Sequence, residues 1–163
     1  MMFGAQKTTF VLAVEAVDGR GWTHRLLDED HAHIVAQSRY PDTDYFLDCE
    51  LLRQMDSFML TARLPERFVF HRDEKDDLNI LSVHLNACVS DSDEGLHREF
   101  RVVETEDQPS PTSPLRMVYG MVLKNTRLCS LPYFRHLFET AFADLENALP
   151  LLPFVREKNT ASS

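Results

Sequence analysis

The stretch that decides the fold is Asp48-Cys49-Glu50-Leu51-Leu52-Arg53-Gln54-Met55-Asp56-Ser57-Phe58-Met59-Leu60-Thr61-Ala62-Arg63-Leu64-Pro65. Leu51, Leu52, Met55, Phe58, Met59 and Ala62 recur at three- and four-residue spacing, the period of an amphipathic helix. Asp48 stands where an N-cap belongs, Glu50 suits the positive end of the helix dipole, and Pro65 ends the run. The expectation is one long central helix over residues 49–63. Burying its five large apolar side chains would contribute roughly 8–15 kcal/mol gross, at about 1.5–3 kcal/mol each. That is enough to organise a core.

Strand-like sequence flanks this segment on both sides. In residues 8–17, Phe10, Leu12, Val14 and Ala16 alternate with Val11, Ala13, Glu15 and Val17, and Asp18-Gly19-Arg20-Gly21 supplies a turn. His31–Gln37 reads as a short strand and residues 40–44 as a loop, because Pro41 removes a donor and biases Tyr40 toward extended geometry. Downstream, residues 67–71, 78–90, 97–106 and 115–128 read as strands. In the second of these, Leu81, Val83, Leu85, Ala87 and Val89 share one face. Residues 108–114, rich in Pro, Ser and Thr, read as a hairpin loop. Ser130 can cap a last helix with Pro132 in its first turn. Phe134, Leu137, Phe138, Ala141, Phe142, Leu145 and Leu149 stripe that helix until Pro150 and Pro153 stop it.

Consecutive strands with short turns imply an antiparallel sheet whose apolar face needs a helix to cover it. The fold class expected is α+β, a sheet wrapped round the central helix with an additional C-terminal helix. Residues 1–155 would form one domain and 156–163 a flexible tail.

Composition narrows the function. With 44% hydrophobic and 26% charged residues the chain is globular rather than disordered. Its 26 acidic residues against 17 basic give a net charge of −9, which repels nucleic-acid phosphate and anionic membranes. No apolar run reaches the roughly 20 residues of a bilayer span, and residues 1–7 carry no secretory signal. The three cysteines, Cys49, Cys88 and Cys129, have no CxxC spacing and read as free thiols of a cytoplasmic protein. His31 and His33 would share one strand face, but no third ligand follows at a metal-site spacing, so no metal is expected.

Residues 35–46, VAQSRYPDTDYF, followed by Glu50-Leu51-Leu52-Arg53-Gln54, resemble the hotdog domain of A-factor biosynthesis (AfsA-like) proteins. Those carry an AQ…P..H.F segment and then an E..RQ helix start. The segment from Lys124 to Arg135 also looks like the end of such a repeat, and the Glu50–Gln54 spacing is shared with hotdog dehydratases. Asp44 stands where the family's loop tends to carry His, and Arg39 where a dehydratase has its catalytic His. The chain holds one repeat where AfsA-like proteins hold two. The resemblance implies a hotdog fold and a homodimer. It further implies action on an acyl thioester borne by acyl carrier protein or coenzyme A, by acyl transfer to a small hydroxylated acceptor or by hydrolysis as in thioesterases.

On that reading Glu50 is the base, Gln54 holds a hydroxyl or carbonyl, and Arg53, Asp44 and Tyr45 contact substrate, with no cofactor beyond the acyl carrier. The bland alternative is that Glu50 satisfies the helix dipole while Arg53 and Gln54 are solvated. A second function class also fits: a non-catalytic acyl- or protein-binding module, such as a small acidic secretion chaperone. In that case Phe134, Phe138 and Phe142 are core or a partner surface.

Overall fold

The computed structural model describes residues 7–40, 43–63, 70–89, 95–104, 114–126 and 129–152. Helix α1 (Thr9–Glu15) continues as a 3-10 segment (Ala16–Arg20) and leads into strands β1 (Thr23–Asp28), β2 (His31–Gln37), β3 (Asp44–Leu52) and β4 (Ser57–Arg63). Helix α2 (Lys75–Cys88), strands β5 (Leu96–Glu104) and β6 (Leu115–Lys124), and helix α3 (Leu131–Ala148) complete the order. The strands form one antiparallel sheet in the order β1-β2-β3-β4-β6-β5. The α+β class, the antiparallel sheet and the C-terminal helix are as expected.

The expected central helix over 49–63 is a β-hairpin. Tyr45, Leu47 and Cys49 are buried while Asp44, Phe46, Asp48 and Glu50 are exposed, and in β4 Phe58, Leu60 and Ala62 are buried while Met59 and Arg63 are exposed. Period two wins over period 3.6 because the apolar positions of each arm alternate once the turn between them is recognised. That turn is a 3-10 segment, Arg53–Met55, followed by Asp56 at φ 49°. Aspartate tolerates this left-handed conformation better than most residues. The carbonyl of Asp56 accepts from the Asn125 and Thr126 amides, tying the hairpin end to the end of β6. Asp48 is therefore a mid-strand residue and caps nothing.

Two expected strands are helices. In residues 8–17 the Thr8 hydroxyl accepts from the Val11 amide as an N-cap, and Phe10, Ala13, Val14 and Val17 form the buried stripe while Leu12 faces outward. In residues 75–88 Leu78, Leu81 and Leu85 are buried at helical spacing, and Asp76 and Asp77 lie in the first turn, where the dipole favours them. Val83, expected on one face with Leu81 and Leu85, faces solvent while those two are buried. The strands expected over 31–37, 97–106 and 115–128 are present as β2, β5 and β6. Residues 41 and 42, most of the expected strand over 67–71, the loop 108–113 and the tail lie outside the described residues.

One face of the sheet is packed by α1 and α3. Phe58 of β4 lies 6.2 Å from Phe10 of α1, 5.7 Å from Phe134 and 6.2 Å from Phe138 of α3, ring centre to ring centre. Tilted and edge-on rings at such distances add about 0.5–1.5 kcal/mol each beyond area burial. Ser130 caps α3 by accepting from the Tyr133 amide, with Pro132 in the first turn as expected. Helix α2 packs beside edge strand β5, where the Asn86 amide donates to the Phe100 carbonyl (3.1 Å) and its oxygen accepts from the Phe100 amide (2.6 Å). One side chain thus stands in for a neighbouring strand. No helix among the described residues is long and apolar enough to cross a membrane.

Burial pushes the Cys49 thiol far above the ordinary cysteine range, whereas Cys88 on α2 is exposed. In the native protein a thiol reagent should label Cys88 rapidly and Cys49 only on unfolding. Labelling of Cys49 at the Cys88 rate would contradict its place inside the sheet.

Candidate functional site

Helix α3 is fixed to the sheet at two carboxylates, two positions apart and so about 200° apart around its axis. Asp144 accepts two hydrogen bonds from Arg98 Nη1 (2.9 and 2.7 Å) and one from the Tyr119 hydroxyl (2.5 Å), joining α3 to β5 and β6. The Arg98 and Asp144 side chains are each only 10% exposed. Glu146 faces the other half of the sheet. Its Oε1 accepts from Ser38 Oγ and from the Tyr45 hydroxyl (2.8 Å), and its Oε2 pairs with Arg39 Nε at 3.1 Å. A buried carboxylate needs such partners, since stripping one away leaves an uncompensated charge.

Beside Glu146 opens a cleft of about 550 Å³ between α3 and the start of the sheet. Trp22 and Phe142 form its aromatic wall, 5.1 Å apart, with Tyr45 edge-on to Phe142 at 5.8 Å. The Arg20 guanidinium sits 4.9 Å over the Trp22 ring and pairs with Glu139. Arg39 and Ser38 also line it. Aromatic surface framed by two guanidinium groups favours an amphipathic occupant, through area burial and cation–π or hydrogen-bond contacts at its edges.

The residues singled out from sequence are distributed differently. Tyr45 reaches this cleft's base through Glu146, on the inner face of β3. Asp44 lies beside it in sequence but on the outer face, and Glu50 is six residues further along the same strand, roughly 20 Å away at about 3.3 Å per residue. Glu50 is exposed mid-strand, opposite His31 and Met59, and no helix begins there. Arg53 donates to Asp30 at 2.6 Å and lies 3.9 Å from Glu29, while Gln54 is an exposed turn residue. The five residues therefore do not converge. Ser38, Glu146, Trp22 and Phe142, which do, come from segments about a hundred residues apart. Only Phe142 had a sequence signal, as part of the last helix's stripe. On the outer sheet face, His31 and His33 of β2 meet Asp48 of β3.

Burial, followed by the nearby carboxylate, holds the Tyr119 hydroxyl far above the usual tyrosine value of about 10. Burial does the same for Tyr45 and, together with Glu146, outweighs the Ser38 hydrogen bond that opposes it. Both groups stay protonated in the folded chain at pH values where they ionise unfolded. Their contribution to stability is therefore complete below pH about 10 and lost progressively as pH rises above it. In an alkaline titration followed by near-ultraviolet absorbance, Tyr45→Phe and Tyr119→Phe should each remove a tyrosinate step that coincides with unfolding. A reversible step for either residue near pH 10 in the native protein would contradict these environments.

Comparison of the chain with protein-family profiles, curated proteins and solved structures finds no match.

Proposed function

We propose that this chain is a polypeptide-binding module of the small acidic chaperone kind. It takes an extended partner segment along the outer edge of β1 and seats a partner side chain against Trp22 and Phe142. The observation that carries the proposal is the pairing of an open strand edge with an aromatic cleft at its start. Among the described residues β1 is paired with β2 alone, and Trp22 immediately precedes it. The opposite edge strand, β5, has its Phe100 peptide occupied by Asn86. An edge strand with exposed Leu26 and Leu27 offers main-chain hydrogen bonds for affinity and alternate side-chain positions for selectivity. The net charge of −9 adds long-range attraction for a basic segment.

The acyl-thioester reading rests on the resemblance of residues 35–54 to AfsA-like hotdog proteins. It needs Glu50 in the first turn of a helix, where free amides would polarise a thioester carbonyl. Glu50 in a strand, with Gln54 in a turn, lacks those amides. A homodimer accords with both readings and has a candidate surface. Helix α2 exposes Ile80 (68%) and Val83 (70%), with Ala87 one turn beyond Val83. If a second copy covers them, Val83→Asp should give a monomer by light scattering.

Trp22 is the only tryptophan, so its emission reports directly on the cleft. Peptides selected from a displayed random library should shift that emission and protect β1 amides from hydrogen exchange. Trp22→Ala or Leu26→Lys should weaken them by roughly tenfold, about 1.4 kcal/mol. Peptides that leave both signals unchanged would refute the proposal. Hydrolysis of acyl-coenzyme A that Glu50→Ala abolishes would favour the enzyme reading.

A further inference from the structure

We propose that His31, His33 and Asp48 form a binding site for a transition-metal dication of the zinc class on the outer face of the sheet. Residues two apart on a strand point the same way, with Cα atoms roughly 6.6 Å apart at about 3.3 Å per residue. His31 and His33 therefore present both imidazoles on one side of β2. The register of β2 against β3 puts Asp48 directly opposite His33, so its carboxylate rises between the two rings.

The three ligand atoms converge on a single point. Asp48 Oδ1 lies 2.5 Å from His31 Nε2 and 3.6 Å from His33 Nε2, and one ligand atom from each of the three residues falls within 4.8 Å of the other two. Both imidazoles offer the same nitrogen to the same carboxylate oxygen. Their rings stand at 89°, with centres 5.4 Å apart, so the two imidazoles meet edge to face rather than stacking. A tetrahedral zinc ion with bonds of about 2.0–2.1 Å separates its ligands by roughly 3.3–3.4 Å. The His33–Asp48 spacing is already close to that, and a rotamer adjustment of under about 1 Å opens the His31–Asp48 contact to it.

Two imidazoles and a carboxylate select against magnesium and calcium, which prefer all-oxygen shells, and suit zinc and its first-row neighbours. The side chains are 29%, 50% and 52% exposed, so the ion enters without opening the core and a fourth position stays free for water or a partner's ligand. The bland reading is a surface His–Asp pair. It accounts for the His31 contact but gives no reason for His33 to turn the same nitrogen toward the same oxygen.

The test titrates the purified full chain with zinc chloride by calorimetry and with cobalt(II) as a spectroscopic reporter. The expected result is one equivalent bound, with visible cobalt bands of tetrahedral intensity and no sulfur-to-cobalt charge-transfer band. His31→Ala, His33→Ala and Asp48→Asn should each weaken binding by roughly tenfold or more. His24→Ala, which removes the separate pair with Asp18, should bind as the unaltered chain does. Zinc should also raise the melting temperature of the unaltered chain and not that of His31→Ala/His33→Ala, because the ligands are assembled only in the folded sheet. Retention of the bound equivalent by the double variant, or a sulfur charge-transfer band, would overturn the assignment. So would absence of saturable zinc binding by the unaltered chain.

Discussion

The ring of Phe58 meets Phe10, Phe134 and Phe138 at one point, and the arrangement of the other elements depends on that contact. It is the place where the centre of the sheet, the first helix and the last helix touch. Phe58 can occupy it only if residues 57–63 are a strand, so that Phe58, Leu60 and Ala62 point to one side together. A helix there would scatter those side chains over different directions. The hairpin also sets the register of β3, and with it which residues of that strand face in and which face out. Tyr45 is delivered inward to Glu146, and Asp48 outward to the two histidines, by the same alternation.

Polar contacts then fix what hydrophobic packing leaves adjustable. Rings against rings tolerate sliding of α3 along the sheet, because dispersion and area burial are only weakly directional. The Arg98–Asp144 pair with Tyr119 at one side, and the Ser38–Tyr45–Glu146 cluster at the other, pin the helix in both directions across the strands. The cleft is a consequence of that second anchor. Glu146 holds α3 at a set distance from the loop after β2, and the gap between is walled by Phe142 and Trp22.

The legible parts of the fold were those in which one periodicity stood alone. β2, β6 and α3 are such segments, the last with a serine cap and an N-terminal proline to mark its start. The misread parts carried both periods at once. Phe10-Val11-Leu12-Ala13-Val14 is apolar at every position, so alternation and a helical stripe describe it equally well, and only the Thr8 cap separates them. In α2, Leu81 and Leu85 belong to an i, i+4 pair as readily as to a strand face, and only the acidic first turn, Asp76 and Asp77, signals a helix start. In 48–63 no Gly or Pro marks the turn at Arg53–Asp56, so two alternating arms run together into one helical stripe. The cleft was illegible for another reason. Ser38, Tyr45 and Glu146 meet only after the chain has crossed the sheet, and no local spacing encodes that. Likewise His31-x-His33 was visible as half a site, while its third member sat opposite in register and read as a helix cap.

The central claim, that residues 44–63 are the hairpin around which both helices and both faces are arranged, is tested most directly by nuclear Overhauser contacts along that stretch. The account predicts cross-strand contacts pairing Leu47 with Ala62 and Glu50 with Met59, and contacts from Phe58 to Leu123 of the neighbouring strand. A continuous series of sequential amide–amide and i, i+3 contacts from residue 49 to residue 63 would mean a helix, and would contradict it.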